Sequence, residues 1–424
     1  MARIAVLSFP GNNCEVESLR AIRQAGMEAV FFKWNDSREK LNDIDGYFLP
    51  GGFSYEDRGR SGMVAARDPL FVFLHEEAEK GKVIIGNCNG AQMLVESGLI
   101  PLDHGLQMSL ARNAIGSEAV GFINEWVWIT PTCKRDRCAT SDWTGAMHLP
   151  IAHGEGRFTT KDKDVLTVLK ANDQIAFSYC DEQGKVSDDP VTTPNGSVFA
   201  IAGICNPAGN VVALMPHPER TENGKPYFES IRRWIETKRG EKVKRGERGE
   251  RLPDWKITDH PQRPVEIFVG TIITNNEERT VEQAARRSVP ELKLSQLKYL
   301  SPANKSPESI LSRLSLFNPN KETALVRKDG AFFTWDSTAK TLTPLATSPF
   351  TSAVTFLRRD EPDTGAGALD GGSPSSLRGA ELRGASETGI CYVCHGVDEK
   401  NLLKREVLEI FANPHASVLE KLSP

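Results

Sequence analysis

Short apolar runs recur through the first 238 residues and alternate with longer amphipathic stretches. Such runs, bounded by glycine or proline, predict strands that are buried on both faces of a sheet. These predicted strands are RIAVLSF, EAVFFKW, GYFLPGG, KVIIG, EWVWIT, SVFAIAG and VVALMP. The predicted helices are CEVESLRAIRQAG, the region 64–80 and PYFESIRRWIETK. We therefore expect an α/β fold with a doubly wound, mostly parallel sheet.

Charge and composition narrow the classes of function. The 424 residues carry a formal net charge of -4, which gives no sign of a nucleic-acid or membrane-surface partner. The N-terminal apolar stretch is too short for a signal peptide, and no run approaches the roughly 18 apolar residues of a membrane helix. We expect a cytoplasmic protein whose eight cysteines stay reduced unless they do chemistry or bind metal.

The chain changes character after residue 238 and again after residue 359. Segment 239–262 repeats Arg-Gly-Glu and is almost free of apolar residues, which predicts a charged, solvated linker in preference to a nucleic-acid-binding arm. Segment 360–389 predicts a second, low-complexity linker. Segments 263–359 and 390–424 predict a smaller α+β module in two parts, the second of them a strand followed by a helix.

Cys88 lies in GNCNGAQML, between the predicted strand KVIIG and a predicted helix. A thiol at such a sharp turn resembles a nucleophile elbow, where Gly86 and Gly90 allow a strained backbone and close approach of a substrate. The helix N-terminus favours the thiolate. A buried structural cysteine is the alternative interpretation, and this segment alone does not decide between them.

A reactive thiolate needs a base and a group that orients the base. His217 and Glu219 follow another predicted strand in ALMPHPER, two residues apart. Side chains at i and i+2 of an extended segment point the same way, so Glu219 is expected to hold the imidazole while the imidazole faces Cys88.

The turn after the strand YFLP carries paired glycines in LPGGFSY. Their backbone N–H groups are candidates for half of an oxyanion hole, with the amide of Asn89 as the other half. Glycine pairs are common in turns, so this signal is weak without Cys88 and His217.

Together these segments resemble the class I glutamine amidotransferases, which use a Cys-His-Glu triad to release ammonia from glutamine. The motifs PGGFSYEDRGRSG, GNCNGAQML, LPIAHGEGRF and VVALMPHPER, with FPGNNCE at the start, are similar to one subfamily. That subfamily comprises the glutaminase subunits of phosphoribosylformylglycinamidine synthase. The resemblance covers about residues 1–238, and FSY and IAHGEGRF separate this subfamily from amidotransferases that serve other synthases.

The resemblance implies a role for each matching residue. Cys88 is implied as the nucleophile, His217 as the general base and acid, and Glu219 as the residue that orients His217. Further implied contacts with the oxyanion and glutamine come from Gly52, Asn89 and Gln92. His153 and Arg157 are implied near the site or at the synthetase interface, although a satisfied loop histidine and a surface arginine are equally good interpretations.

Two segments depart from the subfamily pattern. Glu56 stands where related proteins often have glycine, and LARNAIGSEAVGFINEWVWI matches only loosely the stretch that contacts the glutamine backbone. These departures put substrate contacts and partner docking in question, not the reaction class.

The implied partners follow from the implied reaction. The substrate is L-glutamine, and ammonia passes to a synthetase subunit that uses ATP and Mg to make formylglycinamidine ribonucleotide from formylglycinamide ribonucleotide. No cofactor or metal is expected in this chain. Two alternatives stay open, a glutaminase that serves another synthase and a noncatalytic assembly or regulatory protein.

The residues beyond 238 exceed a minimal glutaminase subunit. PVEIFVGTIITNNEERTVEQAARRSVPEL and EVLEIFANPHASVLEKL are faintly similar to the start and end of the small subunit that bridges glutaminase and synthetase. The tail is either such a subunit, fused here with an insertion, or an unrelated accessory module. CYVCH, with Cys391, Cys394 and His395, matches a haem-attachment pattern, but its strand-like alternation favours chance, and metal binding stays open.

Overall fold

The computed structural model describes residues 1–102, 105–238, 255–370 and 386–423. The chain divides into two compact units, Met1–Ile115 with Val120–Pro253 and Gly116–Ala119 with Asp254–Pro424. Most of the predicted charged linker, residues 239–254, lies outside the described residues, as do residues 371–385 of the second predicted linker. No helix within the described ranges is both long enough and apolar enough to cross a bilayer.

The first unit contains most of the predicted strands and helices. Its strands are β1 (Arg3–Ser8), β2 (Glu28–Lys33), β3 (Gly46–Leu49), β4 (Val83–Asn87), β5 (Ser109–Arg112), β6 (Ala114–Ile115), β8 (Ile123–Pro131), β9 (Met147–His153), β10 (Glu155–Thr159), β11 (Ile175–Cys180), β12 (Ile201–Cys205) and β13 (Val211–Leu214). Its helices are α1 (Glu15–Gln24), α2 (Met63–Ala66), α3 (Pro69–Glu79), α4 (Asn89–Glu96), α5 (Lys163–Ala171) and α6 (Lys225–Lys238). Strand β7 (Glu118–Ala119) lies in the short segment that is grouped with the second unit.

A nine-stranded sheet forms the centre of this unit in the order β2-β1-β3-β4-β13-β12-β11-β8-β9. The strands from β2 to β13 pair in parallel. The strands from β13 to β9 pair antiparallel. The predicted α/β class is confirmed. The parallel half places the carboxyl ends of β1, β3, β4 and β13 along one edge, where ligands bind in such sheets.

Helices cover both faces of the sheet, as a doubly wound arrangement requires. Leu74 of α3, Leu94 of α4 and Leu169 of α5 belong to the core on one face. Ile22 of α1 and Ile231 of α6 belong to the core on the other face. The apolar runs are continuous because both sides of the strands are buried.

The helix predicted over 64–80 is in fact two helices. Pro69 occupies the first turn of α3, where its missing N–H costs no hydrogen bond. Asp68 caps α3 by accepting a 2.8 Å hydrogen bond from the N–H of Leu70. The continuous apolar spacing concealed this break because both helices bury the same face.

The second unit contains a larger number of strands than the sequence indicated. Its strands are β14 (Thr258–Asp259), β15 (Val265–Thr271), β16 (Lys293–Ser301), β17 (Glu322–Lys328), β18 (Ala331–Asp336), β19 (Thr341–Pro344), β20 (Val354–Asp360), β21 (Glu387–His395) and β22 (Ser417–Leu422). Its helices are α7 (Asn276–Ala285), α8 (Pro307–Leu311), α9 (Ala366–Asp370), α10 (Glu399–Leu402) and α11 (Arg405–Phe411). Helix α9 and the start of β21 fall within the predicted linker 360–389.

The strands of the second unit form one sheet in the order β14-β22-β20-β21-β16-β15-β17-β18-β19. Strand β16, from the first predicted part of the module, pairs with β21 from the second part. The two parts therefore share one sheet, with β17, β18 and β19 added at one edge. The strand and helix predicted for the last segment are present as β21 and α11, and the helix ends before Asn413 and Pro414. The sequence did not indicate β22, the strand that follows them. Glu420 in this strand is charged, which suggests a surface residue, but it is buried because Arg359 pairs with its carboxylate.

The CYVCH segment lies in β21, where neighbouring side chains alternate between the two faces of the sheet. Cys391 and Cys394 are three residues apart, so this regular strand directs them to opposite faces and they do not converge on one metal ion. Both thiols are buried. Burial raises the pKa of Cys394 to about 12 and raises that of Cys391.

A buried ionic network stabilises the second unit. Glu266 is fully buried and accepts a 2.5 Å hydrogen bond from Nε of Arg327. Tyr299 donates its hydroxyl to the other carboxylate oxygen of Glu266 at 3.0 Å. His260 lies between Tyr299, at 3.1 Å, and Glu420, at 2.8 Å. Each buried charge in this network has a partner of opposite charge, so the loss of one partner leaves the other buried and uncompensated.

We predict that Arg327→Leu lowers the free energy of unfolding by about 3 to 5 kcal/mol, because it leaves the carboxylate of Glu266 buried without its cation. Chemical denaturation measures this change. The matched control is Lys298→Leu, which breaks the exposed pair with Glu322 and is expected to cost at most about 1 kcal/mol. Equal effects of the two variants would show that burial of the Arg327–Glu266 pair has no special weight.

Candidate active site

Cys88 lies at the turn between β4 and α4, in a backbone conformation that side chains rarely adopt. Its φ is 51° and its ψ is -110°, a strained combination for a residue with a Cβ. Its N–H donates a 2.8 Å hydrogen bond to the carbonyl oxygen of Leu214, at the end of β13. This bond holds the elbow against the neighbouring parallel strand, and the side chain is 4% exposed.

Glycines on either side of the elbow allow segments of backbone to lie almost in contact. A Cβ on Gly90 would lie 2.0 Å from the carbonyl oxygen of Leu49 in β3. A Cβ on Gly86 would lie 2.4 Å from the carbonyl oxygen of Gly90. We expected these glycines to admit a substrate. The contacts show instead that they admit the protein's own backbone, which fixes α4 against the sheet.

His217 and Glu219 follow β13 and form a buried pair. Nδ1 of His217 lies 2.6 Å from Oε1 of Glu219. We expected an extended segment, but Pro218–Arg220 is a single 3₁₀ turn, which brings the two side chains together by a different route. Asn87 donates a 3.2 Å hydrogen bond to Oε2 of Glu219, so both oxygens of this carboxylate are held.

The charges around His217 favour a protonated imidazole. Burial alone would lower the pKa of His217, but the nearby Glu219 carboxylate and Cys88 sulfur outweigh it and raise this pKa well above its usual value. Burial would likewise raise the pKa of Glu219, yet the partner imidazole lowers it. Nε2 of His217 has no hydrogen-bond partner among the described residues. The pair can therefore exchange a proton with the thiol or with a bound substrate.

Gly52 and Asn89, the predicted oxyanion residues, lie at the ends of adjacent strands. Gly52 has a φ of 138° and forms an antiparallel bridge with Asn12, where a Cβ would lie 2.6 Å from the Cα of Asn12. Asn89 is the first residue of α4, where a backbone N–H has no partner within the helix. Their oxyanion role stays a prediction.

The side chain of Asn89 joins the loops around the elbow. Its Oδ1 accepts a 2.9 Å hydrogen bond from the N–H of Ser54, and its Nδ2 lies 3.1 Å from Oδ1 of Asp57. Its Nδ2 also donates to Oε1 of Gln92 at 2.8 Å. Gln92 in turn donates to the carbonyl oxygen of Glu155. Both ends of the Gln92 amide are thus engaged within the protein, and its predicted contact with glutamine requires one of these bonds to be exchanged.

His153 lies at the end of β9 and is 3% exposed. Neither ring nitrogen has a hydrogen-bond partner among the described residues. Burial, with the charge of His217, lowers the pKa of His153 to about 3, so the ring is neutral near pH 7. The ring packs against Gly156, where a Cβ would lie 2.2 Å from Cε1. Arg157 lies on β10, and its Nε donates to the carbonyl oxygen of Arg112 at 2.9 Å.

Comparison with known proteins identifies the family of the first unit. Residues 1–241 match the model of the CobB/CobQ-like glutamine amidotransferase domain. The chain belongs to this amidotransferase family.

The matched relatives align with little more than half of the chain. A phosphoribosylformylglycinamidine synthase subunit PurQ from Methanothrix thermoacetophila is 42% identical over 260 residues, which cover 56% of this chain and 99% of the relative. The PurQ subunit from Pyrococcus furiosus is 36% identical, with 55% and 99% covered. A solved structure of PurLQS from Thermotoga maritima has a chain that is 32% identical, with a TM-score of 0.45 and with 55% and 99% covered.

Several residues that support the amidotransferase site escaped the sequence interpretation. Asn12 donates a 3.3 Å hydrogen bond to Oδ1 of Asn89, and Cys14 contacts Arg220 beside the triad. Asp57 accepts a hydrogen bond from the side chain of Asn89. Burial, and to a smaller extent the charge of Glu155, raise the pKa of Asp57 to about 7. The motif FPGNNCE was the available signal for the first two residues. Nothing local distinguishes Asp57 from a surface acid.

The loop after the paired glycines has three consecutive left-handed residues. The φ values are 52° for Tyr55, 58° for Glu56 and 52° for Asp57. Glu56 forms an ion pair with Arg58 at 2.8 Å but is mostly exposed. Glycine adopts this conformation without the steric penalty that a Cβ adds, so Glu56 carries a backbone cost at this position.

We predict that Glu56→Gly raises the free energy of unfolding of the amidotransferase unit by about 1 kcal/mol, because glycine removes the steric strain of a Cβ in the left-handed conformation. Denaturant unfolding measures the gain. Glu56→Ala is the matched control, since it also removes the exposed ion pair but keeps the Cβ. A gain of the same size with alanine would mean that the charge, not the backbone conformation, was the source.

Proposed function

We propose that this chain is the glutaminase subunit of phosphoribosylformylglycinamidine synthase in purine biosynthesis. The PurQ relatives, with which it aligns over almost their whole length, support this assignment. The observation that carries the chemistry is the buried His217–Glu219 pair beside the elbow thiol of Cys88. The substrate is L-glutamine, and the products are glutamate and ammonia.

The first chemical step is acyl transfer to sulfur. The thiolate of Cys88 attacks the side-chain amide carbon of glutamine, and protonated His217 gives its proton to the departing ammonia. Glu219 keeps Nδ1 of His217 occupied, so that Nε2 faces the reaction. Water then hydrolyses the glutamyl thioester, with His217 as the base, and the thiolate is restored.

Backbone N–H groups of Gly52 and Asn89 are proposed to hold the oxyanion. Two such donors are worth on the order of 3 kcal/mol each. His153 is proposed to contact bound glutamine, because its two ring nitrogens lack partners within the described residues. Gln92 is proposed to help hold the substrate after its internal hydrogen bonds exchange.

The partner is proposed to be a synthetase subunit that consumes ATP with Mg and converts formylglycinamide ribonucleotide to the amidine. The amidotransferase itself is proposed to need no cofactor. Ammonia is mostly protonated at neutral pH and lost if released, so direct transfer within a complex follows from the chemistry. Arg157 is proposed for the site or for the interface with this synthetase.

The second unit is proposed to serve as the bridging module of the complex. The proposed domains are 1–238 and, after the linker 239–262, a module made of 263–359 and 390–424 with the linker 360–389 between its parts. The support is that the two segments with a faint similarity to the bridging subunit, although separated along the chain, form a single sheet in which β16 pairs with β21. Deletion of residues 252–424 tests this role. Retained binding to the synthetase in size-exclusion chromatography would rule out an essential bridge.

We predict that Cys88→Ala lowers glutamine-dependent synthesis by more than about 10⁴-fold, since no thioester forms. Ammonia-dependent synthesis by the complex is expected to continue unchanged, because it bypasses the thiol. Paired assays of the complex with glutamine and with ammonium salt measure both rates. Intact glutamine-dependent synthesis would contradict the nucleophile assignment, and a glutaminase active without any purine synthetase would favour another synthase as the partner.

We predict that Glu219→Gln lowers kcat for glutamine hydrolysis by at least about tenfold. It also moves the basic limb of the kcat/KM profile to lower pH. The sign follows because the carboxylate raises the pKa of His217. Without it the imidazole loses its proton at lower pH. Glu222→Gln changes an exposed carboxylate three residues away and is the control, for which no shift is expected. An unmoved limb in Glu219→Gln would contradict the orienting role.

A further inference from the structure

The buried thiol of Cys14 lies beside the catalytic histidine and has no part in the mechanism above. Cys14 is fully buried and immediately precedes α1. Ligand atoms of Cys14, His217 and Glu219 all lie within 4.8 Å of one another. The sulfur therefore lies beside the same His217–Glu219 pair that serves Cys88.

Arg220 fixes the position of this sulfur. Its Nη2 donates a hydrogen bond to Sγ of Cys14 at 2.9 Å, and the donor is a charged guanidinium. Arg220 is the last residue of the 3₁₀ turn that His217 precedes and that contains Glu219. The contact therefore ties the catalytic turn to the start of α1.

Gly51 leaves the space that this arrangement needs. A Cβ at position 51 would lie 2.7 Å from Cε1 of His217 and 3.1 Å from Sγ of Cys14. The first glycine of the PGG motif is thus explained by the sulfur and the imidazole that pack on it. The second glycine, Gly52, serves the backbone crossing with Asn12.

Cysteine, histidine and glutamate are also zinc ligands, so a metal site is the competing interpretation. Two features of the cluster oppose it. Nδ1 of His217 and Oε1 of Glu219 are 2.6 Å apart, whereas two ligands of one zinc ion lie roughly 3 Å or more apart. The guanidinium of Arg220 also contacts the sulfur on which a cation would have to bind. The cluster is built as a hydrogen-bonded group.

We propose that Cys14 is a positioning residue for His217: its sulfur, held by Arg220, stabilises the protonated imidazole from the side of α1. This inference rests on the proposed glutaminase function. The sulfur of Cys14 accompanies Glu219 and Cys88 among the groups that raise the pKa of His217, against the effect of burial. Cys14 acts through His217 and does not touch glutamine.

The test compares Cys14→Ala with Cys14→Ser and with Cys133→Ser as a matched control. Cys133 is a half-buried cysteine whose sulfur contacts the carbonyl oxygen of Ala176 instead. We expect Cys14→Ala to move the basic limb of the kcat/KM profile for glutamine to lower pH by about one unit. Cys14→Ser restores part of the shift because its hydroxyl can also accept the hydrogen bond of Arg220 and places an oxygen beside the imidazole. Cys133→Ser leaves the limb unmoved.

A second measurement does not depend on catalysis. In the Cys88→Ala protein, the NMR titration of the His217 ring gives its protonation midpoint directly. The midpoint is expected to fall by about one unit when Cys14→Ala is added. An unchanged midpoint, with or without a loss of stability, would overturn the positioning role. A lowered midpoint, together with an absence of glutaminase activity in the unmutated protein assayed in its complex, would sustain this inference while refuting the proposed function.

Discussion

The near-contact between Gly90 and the carbonyl oxygen of Leu49 is the constraint on which the site depends. It draws the start of α4 onto β3, and the N–H of Cys88 then reaches the end of β13. Three neighbouring parallel strands are thereby fixed at their carboxyl ends. The proposed oxyanion loop follows β3, the proposed nucleophile Cys88 follows β4, and His217 follows β13. The order of the strands thus brings Gly52, Cys88 and His217 to one edge of the sheet, where Asn12 and Glu155 from other segments join them.

This assembly carries costs that the rest of the unit has to offset. Cys88 and the three residues from Tyr55 to Asp57 hold left-handed backbone conformations, each of which costs of order 1 to 3 kcal/mol. His217 and Glu219 are almost completely buried as a charged pair. A sheet covered by helices on both faces provides the buried apolar area that tolerates these costs. Strain and buried charge coincide with the site because the surrounding sheet is rigid enough to impose both.

The sequence was sufficient to predict the α/β fold of the first unit and the placement of Cys88 and His217 at strand ends, because both depend on local pattern. Continuous apolar runs predict buried parallel strands, and a cysteine and a histidine each follow such a run. Contacts made by tertiary approach were not predictable in this way. Neither the 3₁₀ turn between His217 and Glu219 nor the engagement of Gln92 with Glu155 leaves a local signature. The final strand was missed because the buried Glu420 reads as a surface residue until Arg359 is placed beside it.

Two buried thiols on one imidazole alter how chemical modification of this protein is to be read. An alkylating reagent that enters the site meets the sulfurs of both Cys14 and Cys88, and a bulky adduct on either one displaces the ring of His217. Inactivation by such a reagent, and protection by glutamine, therefore do not identify which sulfur was labelled. Only the mass of the modified peptide separates a blocked nucleophile from a displaced base.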